Sequence, residues 1–238
     1  MKQPLLFIHG FRGNKLGLEE LASNFPAKNY DVHLINIPPA GGKSLPEYTA
    51  RHYAHFVERY IQKNKLERPI LIGHSMGSIV AAAVAERYPE KIADKIVFLA
   101  PISKKPSAFF AALTPLTAIL PNKLIGYITT KFLFIPNDKK LLEKTLRTTY
   151  RCGADYTSKS DIFKAARFSV SCSISDFEFK KDAAFISGEH DKLIPRAKTE
   201  QIASSLHAKT VYIKDSGHLL NYEEPTKTAT AIKDFIKS

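Results

Sequence analysis

Short, nearly unbroken apolar runs recur along this chain, alternating with longer stretches in which apolar residues return every three or four positions. The runs are Leu5–His9, Val32–Ile37, Ile70–Gly73, Ile96–Ala100, Ala183–Ser187 and Thr210–Lys214. Runs of this length, apolar at neighbouring positions, suit strands buried on both faces, as in parallel sheets. The longer stretches predict helices. Tyr53, Phe56, Val57, Tyr60 and Ile61 recur at helical spacing after Pro46-Glu47, which predicts a helix start there. Ile79, Ala82, Ala83 and Glu86 follow a turn of very small residues, so their helix can lie close to the sheet. A last helix is expected from about Pro225, burying Ala229, Ile232, Phe235 and Ile236. This alternation predicts an α/β fold on a mostly parallel sheet of about six strands flanked by helices.

Residues 101–181 interrupt the rhythm, separating two predicted strands by far more chain than a crossover needs. The segment is too apolar for a solvated tether, and Leu141, Leu142, Thr145, Leu146 and Thr149 carry a helical pattern of their own. It is therefore read as an inserted helical cap on a core formed by residues 1–100 and 182–238. Within it, Phe168 to Ile174 alternates apolar residues with serines, while Phe163, Ala166, Val170 and Ile174 also fit a helix. Periodicity leaves both readings open. The apolar stretch Ala108–Ile135 is read as the inner wall of the cap, with an interfacial lipid-facing surface as the alternative.

Composition narrows the class. With 44% hydrophobic and 24% charged residues in 238, the chain is neither disordered nor fibrous. Two cysteines, Cys152 and Cys172, make neither a disulfide scaffold nor a four-cysteine zinc site, and free thiols are expected. Met1-Lys2-Gln3-Pro4 leads straight into Leu5-Leu6-Phe7-Ile8, too short an apolar stretch for a signal peptide, so a cytoplasmic setting is expected. Prolines 115, 121 and 136 and lysines 123 and 131 interrupt the most apolar segment, where a spanning helix needs about 20 continuous apolar residues.

The net charge is +12, from 35 Lys and Arg against 23 Asp and Glu, and it is concentrated. Residues 101–181 hold fourteen bases and six acids, a balance of +8. That charge would permit weak contact with an anionic membrane through the cap. Basic residues do not run together with interleaved aromatics and no nucleic-acid motif matches, so no nucleic-acid partner is expected. Gly42-Lys43-Ser44 lacks the earlier glycine and following helix of a phosphate loop. His52 and His55 lack a third ligand, so they are read as helix-surface histidines.

The chemistry is carried by Gly73-His74-Ser75-Met76-Gly77, set directly after one predicted strand and before an Ala-rich helix. In that context G-x-S-x-G is a nucleophile elbow: Gly73 and Gly77 leave out Cβ atoms where strand and helix crowd, and Ser75 is lifted at the helix's positive end. His74 is read as packing. A serine hydroxyl needs a base. His218, in Asp215-Ser216-Gly217-His218 after the last strand, is best placed, with Gly217 expected in a special backbone conformation. Asp191, in Gly188-Glu189-His190-Asp191, would orient its imidazole. All three then lie at the carboxyl ends of parallel strands, where open α/β sheets keep their sites. His9-Gly10-Phe11 ends the first strand, and the amides of Phe11 and Met76 could converge on an oxyanion, each such donor being worth ~2.7–4 kcal/mol in a transition state.

On these motifs the chain resembles the α/β-hydrolase superfamily, in its esterase/lipase-like serine-hydrolase branch. The resemblance covers everything but residues 101 to about 181, which occupy the family's variable cap position. It implies Ser75 as nucleophile, Asp191 as acid, His218 as base, and Phe11 and Met76 as oxyanion donors. Gly188 to Pro195 is similar to the family's acid loop, and Gly217-His218 with Glu224-Pro225 to its histidine loop. The chain departs from the family twice. The usual first hairpin is expected to be absent, leaving a six-stranded sheet, and Asn36-Ile37-Pro38-Pro39-Ala40-Gly41-Gly42 replaces the common Asp-x-Pro-Gly-His-Gly. The expected activity is hydrolysis of a small carboxylic ester without metal or other cofactor. The same triad also serves lactone, thioester, carbon–carbon and acyl-transfer chemistry, or lipase action at an anionic surface. A non-catalytic receptor on this scaffold is the remaining alternative.

Overall fold

The computed structural model describes residues 2–103, 119, 120, 124, 143, 158–194 and 196–238. Six strands, β1 (Gln3–Ile8), β2 (Tyr30–Ile35), β3 (Ile70–His74), β4 (Lys95–Leu99), β5 (Asp182–Gly188) and β6 (Lys209–Ile213), form one sheet ordered β2-β1-β3-β4-β5-β6. Every neighbouring pair is parallel. The described helices are α1 (Glu19–Ala22), α2 (Ala50–Lys63), α3 (Met76–Arg87), α4 (Lys159–Ser171), α5 (Arg196–Ser205), α6 (Leu220–Glu223) and α7 (Pro225–Lys237). None of the described helices is long and apolar enough to cross a membrane.

The continuous apolar runs follow from burial on both faces, because successive side chains of a strand point to opposite sides. Leu6, Ile8, Leu71, Ile96, Phe98 and Phe185 pack toward α2 and α3. Their neighbours Leu5, Phe7, Ile72, Val97, Ala184 and Ile186 join Leu21 of α1, Leu220 of α6, and Ala229, Ile232 and Phe235 of α7. The edge strands β2 and β6 are only half-buried along most of their length. α3 is buried from Met76 through Ala85, which only a small-residue sequence permits so close to the sheet.

α2 begins later than the proline suggested. Thr49 is the N-cap, its Oγ1 accepting from His52 N–H at 3.4 Å, and the helix starts at Ala50. Its buried face is Tyr53, Ala54, Val57, Glu58 and Ile61, with Phe56 and Tyr60 at the margin.

β4 and β5 are adjacent strands, yet the 101–181 segment lies between them in sequence. Apart from Ile119, Leu120, Leu124 and Glu143, the helix around Leu141–Thr149, the Ala108–Ile135 stretch and Cys152 lie outside the described residues. The end of the segment, from Ser158, packs onto the core. α4 runs through Ser171, so the ambiguous stretch is helical from Phe168 to Ser171 and extended at Cys172 and Ser173; Phe163 is exposed, and Ile162, Ala165, Ala166 and Phe168 form the buried face. The Phe168 ring lies 4.7 Å from that of Tyr53 on α2, and Ile174 and Phe177 join the same core. Ile174 N–H donates to the Ile102 carbonyl at 2.9 Å, so the chain leaves and re-enters the core at one point.

The tightest packing is backbone on backbone. A Cβ on Gly73 would sit 2.4 Å from the Gly77 carbonyl oxygen, and one on Gly77 would sit 2.3 Å from that of Ile8. Neither neighbour is a side chain that can swing aside. Gly73→Ala should therefore cost ~1–3 kcal/mol of stability or more, read as a lowered urea midpoint. A wild-type midpoint would mean that α3 and the sheet separate easily.

Candidate active site

Ser75 sits between β3 and α3 with φ 51° and ψ −118°, a conformation that L residues rarely adopt. The surroundings hold it there. Ser75 N–H donates to the Leu99 carbonyl at 2.9 Å, prolonging the β3–β4 ladder by one step. The Ser75 carbonyl accepts from the Ser78 amide at 2.8 Å and from Ser78 Oγ at 2.5 Å. Ser78 Oγ in turn accepts from Ile102 N–H at 3.2 Å, stitching the elbow to the chain after β4. The next strand end repeats the pattern, with Ala100 at φ 42° and its N–H on the Ile186 carbonyl at 2.8 Å.

Ser75, Asp191 and His218, far apart in sequence, form one hydrogen-bonded chain. Ser75 Oγ lies 3.0 Å from His218 Nε2, and His218 Nδ1 lies 2.9 Å from Asp191 Oδ2. Since the carboxylate accepts, Nδ1 carries the proton and Nε2 is left as acceptor for the serine hydroxyl. The His218 and Asp191 side chains are 3% and 2% exposed, so solvent screens their pairing little. The other carboxylate oxygen of Asp191 accepts from Leu193 N–H at 2.8 Å and Ile194 N–H at 3.0 Å. Burial opposes ionisation of Asp191, but His218 and these two amides outweigh it and hold the carboxyl below its ordinary pKa.

The base loop departs from expectation at one residue. Its left-handed position is Asp215, with φ 59°, and not Gly217. Gly217 serves differently: its N–H donates to Glu223 Oε2 at 2.7 Å, and its carbonyl leaves no space for a Cβ on Gly188, which would lie 2.1 Å away. The Ser216 carbonyl accepts from His190 N–H at 2.9 Å, joining the base loop to the acid loop.

Of the two predicted oxyanion amides, that of Met76 directly follows Ser75, and that of Phe11 follows Gly10, which packs against the serine. Met76 opens α3, so its N–H has no intrahelical acceptor. Gly10 rests against the elbow, where an added Cβ would meet Ser75 Cβ at 3.0 Å. The Gly10 carbonyl accepts from His9 Nδ1 at 2.8 Å and Gly13 N–H at 3.1 Å, and the planar peptide then turns Phe11 N–H the opposite way. His9 Nε2 accepts from Ile37 N–H at 3.1 Å, joining the ends of β1 and β2. Both ring nitrogens are thus used, which defines the Nδ1–H tautomer. Burial lowers the His9 pKa to about 4, against a smaller opposing effect from the Gly10 carbonyl.

His9, His74, Ser78 and Glu223 were not singled out as site residues from sequence. His74 directs Nε2 at the His218 carbonyl, 3.0 Å away, and burial followed by the neighbouring His218 charge lowers its pKa to about 3. The signal that could have found His9 and His74 is their histidine identity inside otherwise apolar strand ends. Among the described residues, no group of three or more His, Cys, Asp or Glu could hold a metal ion. His52 and His55 lie on α2, His52 Nδ1 2.8 Å from Thr49 Oγ1 and His55 Nδ1 3.7 Å from Glu58 Oε2. A groove of about 910 Å³ opens at the amino ends of the strands, lined by Lys2, Asp31, Arg68, Asp94 and Lys95, away from the triad. Two of its cations are engaged: Arg68 pairs with Asp94 at 2.8 Å and Lys95 Nζ donates to the Phe235 carbonyl at 2.9 Å.

The family model for the alpha/beta hydrolase fold matches residues 3–225, and the chain belongs to that family. Among its relatives is the uncharacterized hydrolase YugF of Bacillus subtilis, 24% identical over 252 residues, covering 99% of this chain and 90% of that protein. The fold is similar to a thermophilic esterase from Thermogutta terrifontis, with TM-score 0.84 at 17% identity, covering 100% of this chain and 90% of that one. It is likewise similar to the enol-lactonase from Burkholderia xenovorans, with TM-score 0.86 at 16% identity, covering 100% and 92%.

The two low-pKa histidines set a pH dependence of stability. Each binds its proton only once the chain unfolds, so their stabilising effect is complete above about 6.5 and is lost as pH falls toward about 4 for His9 and about 3 for His74. Asp191 acts in the same direction, but only as pH falls through its own depressed pKa. Between pH 6 and 5 each ring contributes a slope approaching ~1.4 kcal/mol per pH unit, measurable as urea unfolding at the two pH values. His9→Asn should remove about half of the slope the two rings contribute together. An unchanged slope would show that the His9 ring does not titrate differently on unfolding.

Proposed function

We propose that this protein is a serine hydrolase that cleaves a carboxylic ester through an acyl-enzyme on Ser75. The observation that supports this most directly is the continuous hydrogen-bonded chain from Ser75 through His218 to Asp191, at the carboxyl ends of β3, β5 and β6. His218 Nε2 takes the hydroxyl proton as Ser75 Oγ attacks the ester carbonyl carbon. Asp191 keeps the imidazole in the Nδ1–H form and stabilises the imidazolium without receiving its proton. The carbonyl oxygen, now anionic, is received by Phe11 and Met76 N–H groups. The carbon–oxygen ester bond then breaks and the imidazolium gives its proton to the departing alcohol. Water, deprotonated by His218, attacks the acyl-enzyme; the bond from the acyl carbon to Ser75 Oγ breaks, the carboxylic acid leaves, and the imidazolium returns its proton to the serine.

The reading extends to the chain between β4 and β5. Residues 101–181 form a cap over the site in this proposal, set on a core of residues 1–100 and 182–238. Depth beneath the cap then selects the acyl chain.

The test is hydrolysis of p-nitrophenyl esters from acetate to palmitate by wild type and Ser75→Ala, with fluorophosphonate labelling alongside. Turnover by wild type, labelling at Ser75 and a kcat loss of roughly 10³-fold or more in Ser75→Ala at a near-native unfolding midpoint are expected. Undiminished turnover by Ser75→Ala would overturn the assignment. Labelling without ester turnover would move the substrate to another acyl class, and neither labelling nor turnover would favour a receptor.

A further inference from the structure

His218 must present Nε2 to Ser75 within hydrogen-bond reach, and its bond to Asp191 alone does not fix where the ring sits. The loop that carries it, between Ile213 of β6 and Leu220 of α6, has no regular structure of its own. Around the base, residues 216–218 are each held at a main-chain point: the Ser216 carbonyl by His190 N–H at 2.9 Å, Gly217 N–H by Glu223 Oε2 at 2.7 Å, and the His218 carbonyl by His74 Nε2 at 3.0 Å. The first two ties come from neighbouring loops and from α6. The third comes from the residue directly before Ser75.

We infer that His74 is a positioning residue for the base, its Nε2–H fixing the His218 main chain relative to the strand that carries the nucleophile. This rests on the serine-hydrolase reading above. A carbonyl only accepts, so the bond defines His74 as the Nε2–H tautomer. The partners stand 144 positions apart in sequence, and their contact closes a circuit from Ser75 through His74 and His218 back to Ser75 Oγ. The rings also touch, with centroids 5.4 Å apart and planes at 48°. On its other side His74 Nδ1 lies 3.2 Å from where a Cβ on Gly10 would be, so the ring fills the space between the oxyanion loop and the base. At 6% exposure, no solvent bridge takes over if the donor is removed. A base displaced by a fraction of an ångström loses rate without losing substrate affinity.

The experiment separates donation from packing. His74→Phe keeps a ring and removes the donor; His74→Gln places an amide N–H near the Nε2 position on a smaller side chain. We expect His74→Phe to lower kcat on the best p-nitrophenyl ester by roughly 10- to 100-fold with KM within about twofold, and to slow fluorophosphonate labelling in parallel. His74→Gln should keep both rates within about threefold of wild type. Wild-type rates in His74→Phe would overturn the inference, as would equal losses in both variants, because a space-filling role does not distinguish them. If His74→Phe does not fold, His74→Met takes its place in the same comparison. Ser75→Ala runs beside them. If it retains turnover, the catalytic reading falls and this inference with it; if it is inactive while His74→Phe is not, only the role of His74 falls.

Discussion

Everything at the site depends on how closely the elbow backbone lies against the sheet. Gly77 would place a Cβ 2.3 Å from the Ile8 carbonyl and Gly73 one 2.4 Å from the Gly77 carbonyl, so β1, β3 and α3 touch main chain to main chain. That contact brings the first amide of α3 and the loop after β1 to the same serine. It also makes room for a non-glycine residue at φ 51°, whose strain is offset by the ladder bond to Leu99 and the paired bonds from Ser78. Relaxing the elbow by one methyl group would displace Ser75 and the first amide of α3 together.

From that contact outward, the rest of the site extends the sheet. Beyond the last paired residues, Ser75 N–H bonds Leu99, Ala100 N–H bonds Ile186, and Glu189 N–H bonds Ile213. The parallel ladder therefore runs one step past the ends of β3, β4 and β5. Loops that would otherwise move independently start from fixed positions, and Asp191 and His218 inherit that precision. On the opposite flank His9 performs the same task with a side chain, joining the ends of β1 and β2 and turning the Gly10–Phe11 peptide. The family's usual loop after the second strand is absent, yet Asn36 Oδ1 accepts from Lys15 N–H at 2.7 Å and the chain still closes over β1.

Features set by their own sequence surroundings were legible in advance. The six strands came from apolar runs, the crowded glycines from G-x-S-x-G, and the meeting of Ser75, Asp191 and His218 from their positions after strands. Local chemistry misled where a near neighbour competed. Pro46 suggested a helix start, but Thr49 has the side-chain acceptor that a helix needs at its N-cap. Gly217 suggested a left-handed turn, but Asp215 takes it, as an Asp can. Long-range partnerships were not legible at all. The bond from His74 to the His218 carbonyl, the Glu223 carboxylate on Gly217, and the docking of Phe168 on Tyr53 each join segments whose proximity only the fold creates. The apolar content of residues 101–181 suggested a separate layer, and no periodicity told which of its residues face the core.

Three buried histidines stand within this small volume, and the proposed chemistry requires a proton to settle on one of them alone. The geometry discriminates by hydrogen-bond partners. His218 faces a carboxylate through Nδ1, so a proton arriving at Nε2 creates an imidazolium already paired with an anion. His74 and His9 face carbonyls and an amide, which match a neutral ring, and burial holds their pKa values at about 3 and about 4. For His74 the neighbouring His218 charge acts in the same direction as burial, so a charged His218 disfavours a proton on His74. An Asp at 2% exposure would be a poor bargain for stability on its own. Its placement makes sense as the element that decides which imidazole takes the proton, and neutral histidines can then brace the surrounding loops without competing for it.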